Sequence, residues 1–187
     1  MLKIDFSIFP VLYTERLILK EISPADAPAL FAMRSNPVIM QYIDRPIPSS
    51  VDDIFALIEK MKEMKESGAG ISWGIYKKEQ PEHKIGNIGF FRLIPEHYRA
   101  EIGYMLTIEE HRKGYMLEAM QKVIEYGFNE IKLHSIEANI NPANTASRQL
   151  LEKAGFVKEA YFRENYYFNG RFLDSEIFSL VNKGEKF

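Results

Sequence analysis

The chain of 187 residues is long enough to bury a core without covalent staples, and its lack of cysteine rules out disulfides and thiolate metal sites. A net charge of -2 argues against a general nucleic-acid binder, and no apolar run is long enough to span a bilayer. The opening MLKIDFSIFPVLYTERL has no long apolar stretch and no small-residue cleavage site, so a cytoplasmic protein without a signal peptide is expected, as one domain over 1–187.

Glu15 to Ile22 alternates and predicts a strand. Ser23 and Pro24 open a helix through SPADAPALFAMRS, with Pro28 inside its first turn. A clearer helix follows Ser50, where Asp53 completes a capping box and Ile54, Leu57, Ile58, Met61 and Met64 share a face. Three strands come next, ISWGIYKK, KIGNIGFFRLI and RAEIGYML, with turns at QPEHK and PEHY; their closeness favours an antiparallel meander. The period then changes to that of a helix, with Met116, Ala119, Met120, Val123, Ile124, Gly127 and Phe128 on one side. HSIEANI is a strand, and NPANTASRQLLEKAGF a loop and short helix stopped by Gly155. Two aromatic strands joined at Asn169-Gly170 end the chain. The expectation is an α/β (α+β) fold: a mixed, mostly antiparallel sheet of about seven strands, with helices on both faces.

Where the third meander strand runs into the next helix, the chain reads EEHRKGYMLEAM. The first amides of a helix lack internal partners and sit at the positive end of its dipole, so they suit an anion. Gly114 removes a side chain where backbone would approach a ligand, and Arg112 and Lys113 add positive charge. A diphosphate fits such a place, but so does an ordinary basic connection.

NPANTASRQLLEKAGF, about 30 residues on, narrows the choice. Together the two stretches resemble the GNAT N-acetyltransferase superfamily, and more closely its RimJ/RimL-like branch, over about residues 14–181. The family pattern Gln/Arg-x-x-Gly-x-Gly/Ala falls on His111, Gly114 and Met116, departing at both outer positions. The Asn-x-x-Ser element falls on Asn144 and Ser147, and the Gly-Phe pair on Gly155 and Phe156. The resemblance implies an acetyl-CoA-dependent N-acetyltransferase with a splay between EIGYML and HSIEANI. The pantetheine arm would lie in that splay, against Leu106, Thr107 and Ile108. The diphosphate would sit on the amides of Arg112, Lys113, Gly114, Tyr115 and Met116, with His111 part of the same cofactor loop and the Met116 side chain narrowing the room. The acceptor would be a primary amine: a protein N-terminal α-amine in the RimL manner, or a small amine such as a polyamine or antibiotic. A non-catalytic CoA-binding module is the reading from another class. Relatives that pair through late strands suggest a homodimer. No nucleic acid or membrane partner is expected.

Acetyl transfer needs a neutral amine, a donor for the oxyanion and help for the departing thiolate. Glu101 is the first candidate base, on the strand facing the acetyl group; the alternative is an ion-pair partner, such as of Arg99. Glu164 is a second, and Tyr166 occupies the place where the branch carries a base glutamate. Many family members use a tyrosine acid at the position of Leu151, which cannot donate. Ser147, on the inward face of its helix with Leu150, Leu151 and Ala154, is the remaining contact for sulfur; the alternative is a bond to the carbonyl one turn back. Asn144 would bind the pantetheine amides, cap its helix, or do both. A backbone N–H near Leu106 would serve the oxyanion. Tyr166 and Trp73 are placed as walls of the acceptor cleft, with packing as the alternative for each. The four histidines lack metal-ligand spacing, so no metal is expected.

Overall fold

The computed structural model describes residues 1–184, so the last three residues of the expected domain lie outside the described residues. Eight strands form one sheet: β1 (Leu12–Tyr13), β2 (Leu17–Glu21), β3 (Ile71–Lys77), β4 (Gln80–Ile94), β5 (Arg99–Leu106), β6 (Ser135–Ile140), β7 (Val157–Phe168) and β8 (Arg171–Val181). Their order is β1-β2-β3-β4-β5-β6-β8-β7, and every neighbouring pair is antiparallel except β5 and β6. The helices are α1 (Ala27–Ser35), α2 (Pro37–Met40), α3 (Val51–Glu66), α4 (Tyr115–Asn129) and α5 (Thr145–Lys153).

The eighth strand is the two-residue β1, which carries too little pattern to detect. The expected turn at QPEHK is instead strand: β4 begins at Gln80, and an irregular register around Ile75 to Lys77 absorbs Pro81 and the extra residues. The short helix α2 was also not foreseen, although Asn36 caps it, accepting from the Val38 and Ile39 amides, and Pro37 starts it. The Asn169-Gly170 turn is as expected, both residues adopting positive φ of 47° and 81° as a type I′ turn requires.

Alternation along the strands builds two cores. On one face Trp73, Ile88, Phe90 and Ile102 pack with Met120 and Val123 of α4 and Leu151 of α5. On the other Met105 packs with Leu30 and Met33 of α1 and Ile54 and Ile58 of α3. The approach of α4 to β4 depends on Gly127, where a Cβ would lie 2.8 Å from the Phe90 ring. Overpacking of that kind costs about 1–3 kcal/mol.

Candidate active site

The parallel pairing of β5 with β6 covers only Arg99 to Glu101 against Ser135 to Glu137. Beyond that, β5 continues along β4 to Leu106, and β6 along β8 to Ile140, so the two facing edges part. The cause sits one strand away. Phe90 pairs with Ile102 and Arg92 with Glu101, leaving Phe91 as an extra residue opposite the parting point. A bulge adds local twist and swings β5 away from β6. Gly103 accommodates it, since a Cβ there would meet the Phe91 ring at 2.8 Å. The result is a wedge with unpaired backbone on both sides, suited to an extended chain that carries amides of its own.

The loop after β5 closes the open end of the wedge. Thr107 N–H donates to Ile85 O at 2.8 Å, and the His111 ring donates through Nε2 to Leu106 O at 3.1 Å. His111 therefore braces the loop with its side chain. Arg112 and Gly114 both take positive φ, 61° and 83°. Gly114 is the N-cap of α4 and Glu118 N–H returns to its carbonyl, so the amides of Tyr115, Met116 and Leu117 have no helical partner. Met116 does not narrow this place as the sequence suggested, because its side chain turns into the core. Lys113 is held by Glu110, which also takes Lys77, so the loop is braced by a buried carboxylate between two ammonium groups at 3.0 and 3.1 Å. Burial works to raise the Glu110 pKa, but the two lysines outweigh it and hold it below the usual range.

Two further residues shape this end without a sequence signal. Glu118, off the apolar side of α4, accepts from Thr14 Oγ1, Arg16 N–H and Arg16 Nε at 2.5 to 2.8 Å. Arg16 then reaches the Lys113 carbonyl at 3.1 Å and covers the Tyr115 ring. The turn between β1 and β2 is thereby pinned to the start of α4, placing a guanidinium beside the free amides.

Asn144 caps α5, its Oδ1 accepting from Ser147 N–H at 3.0 Å. Its amide group stays available as a donor. Ser147 is buried and its hydroxyl meets the Tyr104 hydroxyl of β5 at 2.6 Å. Tyr104 was missed, although alternation with Ile102 and Leu106 does put it on the α5 side of the sheet.

On the opposite face, Glu101 lies at the apex of the wedge. Its carboxylate pairs with Arg92 at 2.8 Å, while Arg99, the partner considered from sequence, takes Glu137. Tyr166 donates to Asp44, joining β7 to the loop between α2 and α3 across what would be the acceptor entrance. Burial and that carboxylate both raise the Tyr166 pKa, the opposite of what a base requires. Glu164 is exposed, in a kink of β7 with φ 48° and its N–H on Asp174. Trp73 is not a cleft wall. It is fully buried among Phe9, Phe90 and Tyr126, with Nε1 bonded to Pro10 O at 2.7 Å. Among the described residues no group of histidine and acidic side chains is placed to hold a metal, and no helix is long and apolar enough to cross a membrane.

A wedge of unpaired strand edges ending at free helix amides is the form of an acyl-CoA-dependent transferase. The comparisons with known proteins agree. Residues 16–157 match the model of the acetyltransferase (GNAT) domain. An uncharacterized N-acetyltransferase of Bacillus subtilis, YoaA, is 38% identical over 178 residues, 95% of this chain and 100% of that protein. The RimL ribosomal L7/L12 α-N-protein acetyltransferase in complex with coenzyme A superposes with a TM-score of 0.84 at 18% identity, over 94% of this chain and 100% of the other. The spermidine N-acetyltransferase of Vibrio cholerae with CoA and spermine superposes with a TM-score of 0.78 at 22% identity, over 88% and 95%. The chain belongs to the GNAT family, and it is an N-acetyltransferase that uses acetyl-CoA.

Proposed function

We propose that the acceptor is the α-amine of a protein N-terminus, acetylated by direct attack while both substrates are bound. This reading is supported by one observation: two of the acids that a polyamine would need already accept hydrogen bonds, and arginines stand beside them. Asp44 takes the Tyr166 hydroxyl, and Asp53 takes the amides of Ser49 and Ser50. Half-buried Arg34 and exposed Arg45 stand nearby and add positive charge. A polycation is disfavoured there. An α-amine with a pKa near 8 is already partly neutral at pH 7 and asks little of a base.

In this reading the pantetheine lies along the wedge beside Leu106, Thr107 and Ile108, with Asn144 Nδ2 on its amides. The diphosphate takes the amides of Arg112 to Met116, the His111 N–H being already held by Ile108 O. Glu101 receives the amine proton through water, a backbone N–H near Leu106 serves the oxyanion, and Ser147 Oγ faces the sulfur. Residues 1–187 act as one unit. A cytoplasmic location is supported by the cysteine-free composition. A homodimer is supported by the edge position of β7 and the exposed Phe162, Tyr167 and Phe172 of its hairpin, and light scattering reads it.

The test is thiol release from acetyl-CoA with N-terminal peptides against spermidine. Peptides are expected to turn over at least tenfold faster, with Glu101→Gln lowering kcat. Faster turnover of spermidine contradicts the acceptor assignment.

A further inference from the structure

Resting on Ser147 as the group beside the sulfur, the contact of its hydroxyl with Tyr104 carries a further consequence. A serine hydroxyl near a helix start is a free rotor and tends to fold back on a carbonyl one turn earlier. Here it is enclosed, its own N–H is fixed by Asn144, and its oxygen lies 2.6 Å from the Tyr104 hydroxyl. Either hydroxyl could donate across this contact, but a phenol is a far stronger acid than an aliphatic alcohol, which favours Tyr104 as donor and Ser147 as acceptor. The Ser147 proton is then left for a third atom. Tyr104 is itself held by packing against the core. Burial pushes its phenol up to about 12, so it stays protonated at any ordinary pH.

The position of the pair matters as much as its direction. Tyr104 stands on the side of the wedge formed by β5, and Ser147 on the helix that follows β6. The bond therefore spans the gap between the two diverging strands, where a thioester lying in the wedge would pass.

We propose that Tyr104 is a positioning residue for acetyl transfer: by donating to Ser147 Oγ it directs the Ser147 hydroxyl proton at the thioester sulfur. As the amine nitrogen bonds to the acetyl carbon, the carbon–sulfur bond breaks and its electron pair stays on sulfur. Ser147 donates a hydrogen bond to that sulfur as the charge gathers. The proton lost from nitrogen goes to the base, and the thiolate leaves to take a proton from solvent. Tyr104 touches none of the reacting atoms and is restored unchanged.

Tyr104→Phe keeps the ring and removes the donor. It is expected to lower kcat about tenfold to a hundredfold, with KM for acetyl-CoA within about twofold, as for loss of one charge-assisted hydrogen bond in the transition state. In a Ser147→Ala background the same change is expected to cost nothing more. A tyrosine that only packs would add its loss to that of Ser147→Ala, or raise KM instead, and either result overturns the proposal. Calorimetry supplies a readout independent of the acceptor. Wild type is expected to bind CoA more tightly than desulfo-CoA, and Tyr104→Phe to bind the two alike. A preference for CoA that survives Tyr104→Phe, or one absent from wild type, also overturns it. Failure of wild type to bind either ligand strikes instead at the cofactor site itself.

Discussion

The two ends of the proposed active site are built by different means. At the proposed cofactor end, main-chain groups would do the holding: two unpaired strand edges and the first amides of α4, with side chains such as His111, Arg16 and Glu118 bracing them from behind. The polar side chains there are matched, as in the Lys77–Glu110–Lys113 chain. At the acceptor end, side chains of α1, the α2–α3 loop and the β7–β8 hairpin meet over the other face of the sheet. That face leaves Ser72 Oγ, Lys84 Nζ and Asn87 Oδ1 buried without a partner among the described residues. A backbone site tolerates changes of sequence, so it can stay fixed while a side-chain site changes its acceptor.

The sharpest way to break this contrast is Gly114→Val. A left-handed φ of 83° excludes a β-branched residue, although the space beside it, with Arg16 at 3.4 Å, would admit a methyl group. Strain of about 1–3 kcal/mol at the loop predicts a tenfold or greater loss of CoA affinity by calorimetry, and the unfolding midpoint reports any global cost.

Next comes Lys84→Met. Burial lowers the Lys84 pKa to about 7, with Arg34 adding to it and Asp26 opposing. A lysine with a depressed folded pKa destabilises fully below that value, and the penalty fades as pH rises toward the unfolded value near 10.4. Lys84→Met is therefore expected to stabilise by about 1–2 kcal/mol at pH 6, the gain shrinking between pH 7 and 10 in thermal melts. A gain that grows with pH would contradict the sign.

Smaller effects separate the two ends. Tyr166→Phe breaks the tie to Asp44 and is expected to raise the acceptor KM about threefold while leaving the CoA Kd unchanged, as for one part-buried hydrogen bond. Smallest is the acid response of the loop. Glu110 has a folded pKa below its unfolded value, so its contribution is present above about pH 4.5 and is lost as pH falls through the folded pKa. Amide exchange at residues 107–114 should rise there in wild type and not in Glu110→Gln.

The same contrast explains what the sequence could tell. Gly114 and the start of α4 were legible because a glycine and a change of hydrophobic period reflect local backbone needs. Ser147 and Asn144 were legible through a short motif on one helix. The wedge itself depends on Phe91, one unpaired residue on a neighbouring strand, and no local pattern marks it. The Arg16–Glu118 tie and the Asp44–Tyr166 tie join residues about a hundred or more positions apart. Trp73 misled because a strand tryptophan has the same local pattern in a core as in a cleft.

Amide chemical shifts followed during titration give the most direct test of a cofactor held by main chain. CoA should move the signals of residues 112–116, and pantetheine, which lacks the diphosphate, should leave them in place while moving those of residues 104–107. Signals at residues 112–116 that stay still under CoA, or respond equally to pantetheine, would show that these amides do not hold the phosphates.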